Sequence, residues 1–196
     1  MLIIGLTGGI GSGKTTVASV FSSFGIPIYN SDVRAKHIMN TNADLIISIK
    51  ELLGNEAYKN GLINKPYISN AIFNSKQLLA KINALVHPKV AEDFTSWSKE
   101  HSKFSFVIKE SAILIESKAY KSVDKIIVVN APVALRIKRV ALRDNADEAA
   151  IKARMSNQIN DNERNQYADY IINNNSEDSL ILQVQKIIKK IEQSRS

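Results

Sequence analysis

The segment Gly8-Gly9-Ile10-Gly11-Ser12-Gly13-Lys14-Thr15 constrains this chain most, because it satisfies the pattern G-x-x-x-x-G-K-[ST] in full. Its surroundings agree. The apolar run Leu2-Ile3-Ile4-Gly5-Leu6-Thr7 before it has the character of a buried strand. Val17, Val20, Phe21 and Phe24 after it recur at helical spacing, and Gly25 is placed to end that helix. Glycines in such a turn let successive backbone N–H groups face inward onto phosphate oxygens, and the positive end of the following helix adds to the attraction. Lys14 is expected to reach the β- and γ-phosphates and the Thr15 hydroxyl to ligate Mg²⁺. Gly8, Gly9, Gly11, Ser12, Gly13 and Thr16 complete the expected phosphate pocket. A glycine-rich turn without a ligand is the plain alternative, and the strand before it and helix after it weigh against that.

Beyond the loop the chain alternates between two periodicities. Ile26-Pro27-Ile28-Tyr29, Phe104 to Ile108, Lys125 to Val129 and Tyr170 to Ile172 have strand character. From Asp32 to about Lys103 the pattern is mostly helical, with Leu45, Ile46, Ile49, Leu52 and Leu53 on one face. Leu78, Leu79, Ile82 and Leu85 lie on another, and a separate helix carries Val90, Phe94 and Trp97 after a break at His87-Pro88. Pro132 is placed to open a helix reaching about Arg143. Residues 144–166 are polar and charged and suit a mobile helical segment outside the core. A closing helix carries Leu180, Val184, Ile187, Ile188 and Ile191. Strands alternating with helices predict an α/β fold with a parallel sheet covered on both faces. The helical stretch is too long for one crossover and predicts a helical subdomain.

The length of 196 residues suits one such domain, and the 44% hydrophobic content supplies a core. The absence of cysteine excludes disulfides, thiolate metal sites and a cysteine nucleophile. No apolar run is long enough to span a bilayer and no basic region precedes the first apolar residues, so a cytoplasmic address is expected. The formal charge of +7 suits polyanionic partners, nucleotide or nucleic acid, or merely a lysine-rich surface. No recognisable nucleic-acid-binding module is present, so a nucleic-acid partner is not expected. No N-K-x-D or D-x-x-G string occurs, and the Phe104 strand ends in Lys109-Glu110 without an unambiguous aspartate, which turns the reading from motors and switches towards a small-molecule kinase.

Four groups are candidates for chemistry. Asp32 follows the second strand at the carboxyl edge of the expected sheet; position alone leaves a general base and a helix cap equally open. Arg136, Lys138, Arg139 and Arg143 share one helix, with Arg154 and Arg164 beyond. They suit either a lid that neutralises transferring phosphate or a solvated face paired with Asp144, Asp147 and Glu148. Glu110 and Glu116 are placed either to help hold Mg²⁺ through water or to remain surface acids. His87 has no partners at metal spacing.

An ordered set of further segments resembles the dephospho-coenzyme A kinase family over nearly the whole chain. The opening Gly5 to Thr16, Asn30-Ser31-Asp32, Gly61-Leu62, His87-Pro88 and Ile113-Leu114-Ile115-Glu116 carry the resemblance. So do Arg139 with Arg143, Arg154 and Gln158, and Ala168 to Asn174. It implies a three-layer P-loop NTPase fold in one kinase domain, 1–196. Within it, 1–31, 104–138 and 167–196 would form the nucleotide-binding core, 32–103 the dephospho-CoA-binding helical region, and 139–166 the lid. It implies transfer of the γ-phosphate of ATP, with Mg²⁺, to the ribose 3′-hydroxyl of dephospho-CoA. Asp32 would be the base, Lys14, Arg139 and Arg143 would assist catalysis, Lys65 and His87 would contact the substrate, and Asn174 would lie near adenine. A monomer is favoured. Asn30, Lys65, Glu110 and Ala112 depart from residues common in the family (Asp, Arg, Asp and Pro). The competing readings are another P-loop nucleoside or metabolite kinase, or a nucleotide-dependent binding module.

Overall fold

The computed structural model describes residues 1–73 and 75–193; Asn74 and the last three residues of the expected 167–196 segment lie outside the described residues. The chain forms two compact units, Met1–Asn30 with His101–Ser196, and Ser31–Glu100.

The first unit is built on a parallel sheet of β1 (Leu2–Thr7), β2 (Ile28–Asn30), β5 (Phe106–Glu110), β6 (Lys125–Asn130) and β7 (Tyr170–Asn173). The strands lie in the order β2-β5-β1-β6-β7. Its helices are α1 (Lys14–Ser23), α6 (Val133–Asp144), α7 (Glu148–Ser156), α8 (Asp161–Asn165) and α9 (Leu180–Gln193). Side chains alternate across the sheet because successive strand residues point to opposite faces. Ile127 and Val129 join Ile4, Leu6, Phe106 and Ile108 in a core closed by Val17, Phe21, Val184 and Ile187 from α1 and α9. Ile126 and Val128 face the other way, onto Leu114, Tyr120 and Val123. The near-continuous apolar strands thus reflect a sheet buried on both faces.

The strand register fixes where chemistry can occur. Leu6 of β1 pairs with Glu110 of β5, and Glu110 pairs with Asn30 of β2. The carboxyl ends of these three strands therefore share one edge, and the glycine-rich loop leaves β1 there. In parallel α/β sheets this edge is where ligands sit. The strand expected over Phe104 to Ile108 runs two residues further, to Glu110, because Lys109 and Glu110 stay in register with β1.

The second unit contains α2 (Ser31–Thr41), α3 (Ala43–Leu53), the short hairpin β3 (Tyr58–Lys59) and β4 (Leu62–Ile63), α4 (Lys65–Phe73) and α5 (Lys76–Glu100). Ile38, Leu45, Ile49, Ala57, Ile68, Ile82 and Val86 form its own core. The stretch is mostly helical, as expected, and is interrupted by the hairpin, which Asn60 and Gly61 turn at positive φ. One expectation needs correction: the break at His87-Pro88 is absent. α5 runs 25 residues with Pro88 inside it, because Ile82, Val86 and Phe94 bury themselves on both sides of the proline and outweigh one lost backbone bond. Among the described residues no helix is long and apolar enough to cross a membrane.

Candidate active site

The phosphate loop is shaped by contacts that glycine alone permits. Gly11 has φ +77, and a Cβ there would come within 2.6 Å of the Arg136 carbonyl oxygen. Gly13 has φ +90, and a Cβ there would meet the Asn174 amide. Both conditions exclude other residues, one through backbone conformation and one through space. Inside the loop the Ser12 N–H donates to the Gly9 carbonyl at 3.1 Å, and Gly13 accepts the first helical bond of α1 from Val17 at 3.1 Å. Lys14 opens α1, and its ammonium donates back to the Gly8 carbonyl at 2.8 Å. The Ser12 side chain is buried, with its hydroxyl unpartnered among the described residues. Thr16 follows in the first turn of α1.

Glu110 is the acid at the strand edge. It is only 3% exposed, so it is no surface carboxylate. Thr15 Oγ1 donates to its Oε1 at 3.0 Å, and Asn30 Nδ2 donates to its Oε2 at 2.8 Å. The end of β5 thus carries its acidic group as a glutamate after Lys109, at the Glu110 position that the sequence offered as a candidate, and not as a terminal aspartate. The departure at Asn30 also has a local meaning. An amide there donates to Glu110, where a second carboxylate would repel it. A hydroxyl and a carboxylate side by side are hard-oxygen donors of the kind Mg²⁺ takes, so this pair fits that ion. Glu116 lies apart from this pair, with Oε1 3.4 Å from the Ile159 N–H.

The arginines separate by environment. Arg139 Nη2 donates to the Asn174 side-chain oxygen at 3.1 Å and to its carbonyl at 3.3 Å, while Asn174 Nδ2 donates to the Ser12 carbonyl at 2.8 Å. Arg139, Asn174 and the loop therefore form one assembly, and Arg139 Nη1 is buried with no partner among the described residues. Arg143 is not part of it. It pairs with Asp144 at 2.8 Å, and Arg154 pairs with the same carboxylate. The hydrogen bond from Arg143 is the main reason Asp144 titrates below the ordinary carboxylate range.

The polar segment 144–166 carries α7 and α8, as the helical reading expected, and two of its side chains, Ile151 and Arg164, are buried. Arg136 and Arg164, 5% and 1% exposed in their side chains, share the Asp161 carboxylate at 2.8 Å and 2.5 Å. Ile151 of α7 is fully buried. The sequence signals for this cluster are the i,i+3 spacing of Asp161 and Arg164 and the position of Arg136 one helical turn before buried Val140. Neither distinguishes a buried guanidinium from a solvated one.

The remaining candidates belong to the other unit. Asp32 lies in the first turn of α2. Lys65 opens α4, and His87 is half-buried on α5, where desolvation lowers its pKa. An open cleft of about 840 Å³ lies within this unit, between α2 and the β3–β4 hairpin. Lys36, His37, Lys59 and Lys65 line it with exposed Val33 and Leu62, and among the described residues no acidic one does.

A parallel sheet with a glycine-rich loop leaving its central strand, a lysine and threonine opening the next helix, and an acid on the neighbouring strand define a P-loop nucleotide-dependent phosphotransferase. The sequence model of one such family, dephospho-CoA kinase, matches residues 2–179. A dephospho-CoA kinase from Bacteroides fragilis is 37% identical over 185 residues, covering 94% of this chain and 90% of the relative. The crystal structure of a Thermus thermophilus protein, TT1252, superposes with a TM-score of 0.86 at 25% identity, covering 96% of each chain. A dephospho-CoA kinase from Campylobacter jejuni gives 0.71 at 26% identity, covering 99% of this chain and 98% of that one. The chain belongs to the dephospho-CoA kinase family, ATP-dependent enzymes that phosphorylate dephospho-CoA in the last step of coenzyme A biosynthesis.

Proposed function

We propose that this protein transfers the γ-phosphate of ATP to the ribose 3′-hydroxyl of dephospho-CoA, with Asp32 as the base. The observation that carries the reading is the phosphate loop with Lys14 and Thr15 set against Glu110 at the carboxyl edge of the sheet. In such a transfer the protein contributes mainly position and charge. The N–H groups of the loop and the start of α1 hold the phosphate oxygens, and Lys14 exchanges its bond to the Gly8 carbonyl for the γ-phosphate. Arg139 brings a spare N–H beside the loop, which favours it over Arg143 as the lid arginine that meets phosphate. Asn174 would hold the loop floor beneath the nucleotide. Thr15, with Glu110 acting through water, would hold Mg²⁺, which when bound offsets the charge on the phosphates.

The acceptor side rests on the 31–100 unit. Asp32 and Lys36 lie one helical turn apart on α2, so a base at the helix start continues into the basic cleft. Lys36, Lys59 and Lys65 suit the diphosphate of dephospho-CoA, and Val33 and Leu62 suit its pantetheine arm. Asp32 would receive the hydroxyl proton as the oxygen attacks phosphorus. His87, half-buried on α5, would contact the substrate from the same unit. A monomer in the cytoplasm, acting on small molecules without nucleic acid, completes the reading.

The test is direct. The protein is incubated with MgATP and dephospho-CoA, and CoA and ADP are followed by chromatography beside Lys14→Ala and Asp32→Asn. Equal amounts of CoA and ADP are expected, with kcat lowered about 10²–10⁴-fold in Asp32→Asn, the range for a lost general base. A fully active Asp32→Asn would leave Asp32 as a helix-start residue, and no CoA from a folded, ATP-binding protein would refute the acceptor.

A further inference from the structure

The phosphate loop is held from outside at one residue, Ile10. Its N–H donates to Gln158 Oε1 at 2.8 Å, and its carbonyl accepts from Arg136 Nε at 2.8 Å. The Gly9–Ile10 peptide is thereby fixed at both ends, since its carbonyl also accepts the Ser12 N–H. The next peptide is fixed through the Ile10 carbonyl. Because a trans peptide is planar, with C=O and N–H pointing opposite ways, holding that carbonyl on Arg136 aims the Gly11 N–H away from Arg136. Only an oxygen can accept the Ile10 N–H, which settles which way the Gln158 amide faces.

The two anchors reach the loop from different places. Arg136 comes from α6, where its carbonyl also touches the space beside Gly11. Gln158 lies between α7 and α8, in the segment that follows the lid arginines, and its N–H caps α7 on the Met155 carbonyl at 3.1 Å. Asp161, three residues on, binds both Arg136 and Arg164, and Arg164 donates to the Ile159 carbonyl at 2.7 Å. A turn of chain with few apolar contacts of its own is thus locked beside the loop by two buried guanidiniums. The half-buried Gln158 amide is its direct contact with the loop backbone.

From this arrangement we propose that Gln158 is a positioning residue for phosphoryl transfer. It sets the phosphate-binding peptides through Ile10, so the α7–α8 turn and the ATP-binding loop adopt their working geometry together. Loop N–H groups already aimed before ATP arrives need no ordering on binding, and that pre-organisation appears as affinity. The proposal rests on Gly8 to Thr15 being the ATP site.

The experiment uses the whole protein and Gln158→Met, which keeps the length of the side chain and removes the acceptor. Gln158→Glu, which keeps an acceptor oxygen, is the conservative variant. ATP and ADP dissociation constants are measured by calorimetric titration, Ile10 amide exchange by NMR, and kcat and KM by steady-state rates. In Gln158→Met both nucleotides are expected to bind about three- to tenfold more weakly, the worth of one hydrogen bond. The Ile10 amide should exchange faster, KM for dephospho-CoA should not move, and Tm should stay within about 2 °C, as for a partly exposed polar change. Gln158→Glu should keep Ile10 protected. Wild-type ATP affinity in Gln158→Met would overturn the proposal, as would a fall in affinity matched by a general loss of stability. A wild-type protein that binds no ATP would instead overturn the assignment of the loop.

Discussion

Removing Asp161 tests how far α8 and the loop-facing end of α6 depend on one carboxylate. Arg136 and Arg164 are almost completely buried, and both reach Asp161, whose own side chain is 38% exposed. In Asp161→Ala both guanidiniums keep their desolvation cost and lose their counter-charge. Breaking a buried ion pair from one side costs about 3–5 kcal/mol. Exposure of Asp161 lets water reach the vacated place, and Arg136 keeps the Ile10 carbonyl and Arg164 the Ile159 carbonyl, so the lower end, about 3 kcal/mol, is the expected value. For a chain of this size that corresponds to a fall in Tm of roughly 6–12 °C. Urea and thermal unfolding of wild type, Asp161→Ala and Asp161→Asn provide the assay. Asp161→Asn keeps one acceptor without charge and should fall between the other two. Triple replacement of Asp161, Arg136 and Arg164 by Leu, Met and Met should recover part of the loss, since a well-packed apolar set needs no counter-ion. A Tm loss below about 2 °C in Asp161→Ala would place the two guanidiniums in contact with solvent and refute the argument.

Other outcomes are equally specific. Gly11→Ala and Gly25→Ala share nearly the same φ, +77 and +78, but Gly11 meets backbone, whereas among the described residues beyond its chain neighbours nothing lies within 4 Å of a Cβ on Gly25. Gly25→Ala should cost about 1–2 kcal/mol, and Gly11→Ala clearly more together with ATP binding, as read by unfolding and titration. Equal effects would remove the close approach of Arg136 as a cause. Asn30→Asp sets a second carboxylate 2.8 Å from Glu110. Its stability deficit against wild type at neutral pH should narrow on acidification as the pair takes up a proton, and urea unfolding at two pH values checks this. Burial holds the His87 pKa below its ordinary 6.5, so the unfolded chain binds the proton more readily. Stability should therefore decline as pH falls below 6.5, and the His87 share of that decline should vanish in His87→Gln. Lys65→Ala should raise KM for dephospho-CoA several-fold with kcat nearly unchanged, the pattern of uniform substrate binding lost; an unchanged KM would place Lys65 outside the acceptor cleft.

Legibility followed how local each signal is. The phosphate loop, the parallel sheet and the closing helix were plain because contiguous residues encode them: a fixed motif, apolar strands buried on both faces, and a stripe from Leu180 to Ile191. The length of α5 was not, because the sequence around Pro88 is locally helix-breaking. What keeps the helix whole is the burial of Ile82 and Val86 in the unit core before the proline and of Phe94 after it, which no short window shows. The acid of the site was half legible. Glu110 stood out as a carboxylate at a strand end, but its pairing with Asn30 depends on the register of β2 against β5, two segments some eighty residues apart in the chain. Seen in that register, the change from Asp to Asn at position 30 fits the glutamate beside it, because one amide donor satisfies a buried carboxylate that a second acid would repel.

The arginines show the limit most clearly. Arg136, Arg139 and Arg143 fall on nearly one stripe of α6, and spacing alone treats them alike. Their roles diverge because their neighbours arrive from elsewhere. Arg136 meets Ile10 and Asp161, Arg139 meets Asn174 at the end of β7, and Arg143 pairs with the adjacent Asp144. The polar composition over 144–166 gave no sign of burial, yet buried guanidiniums and a half-buried amide make the contacts of its turn. Charge that solvates a surface and charge that locks a turn are spelled with the same residues, and only the distance to a buried partner separates them. The site is therefore set by two kinds of code. The loop is written in consecutive residues, whereas the contacts that hold it in place join positions 10, 136, 158 and 161, which become neighbours only when the chain is folded.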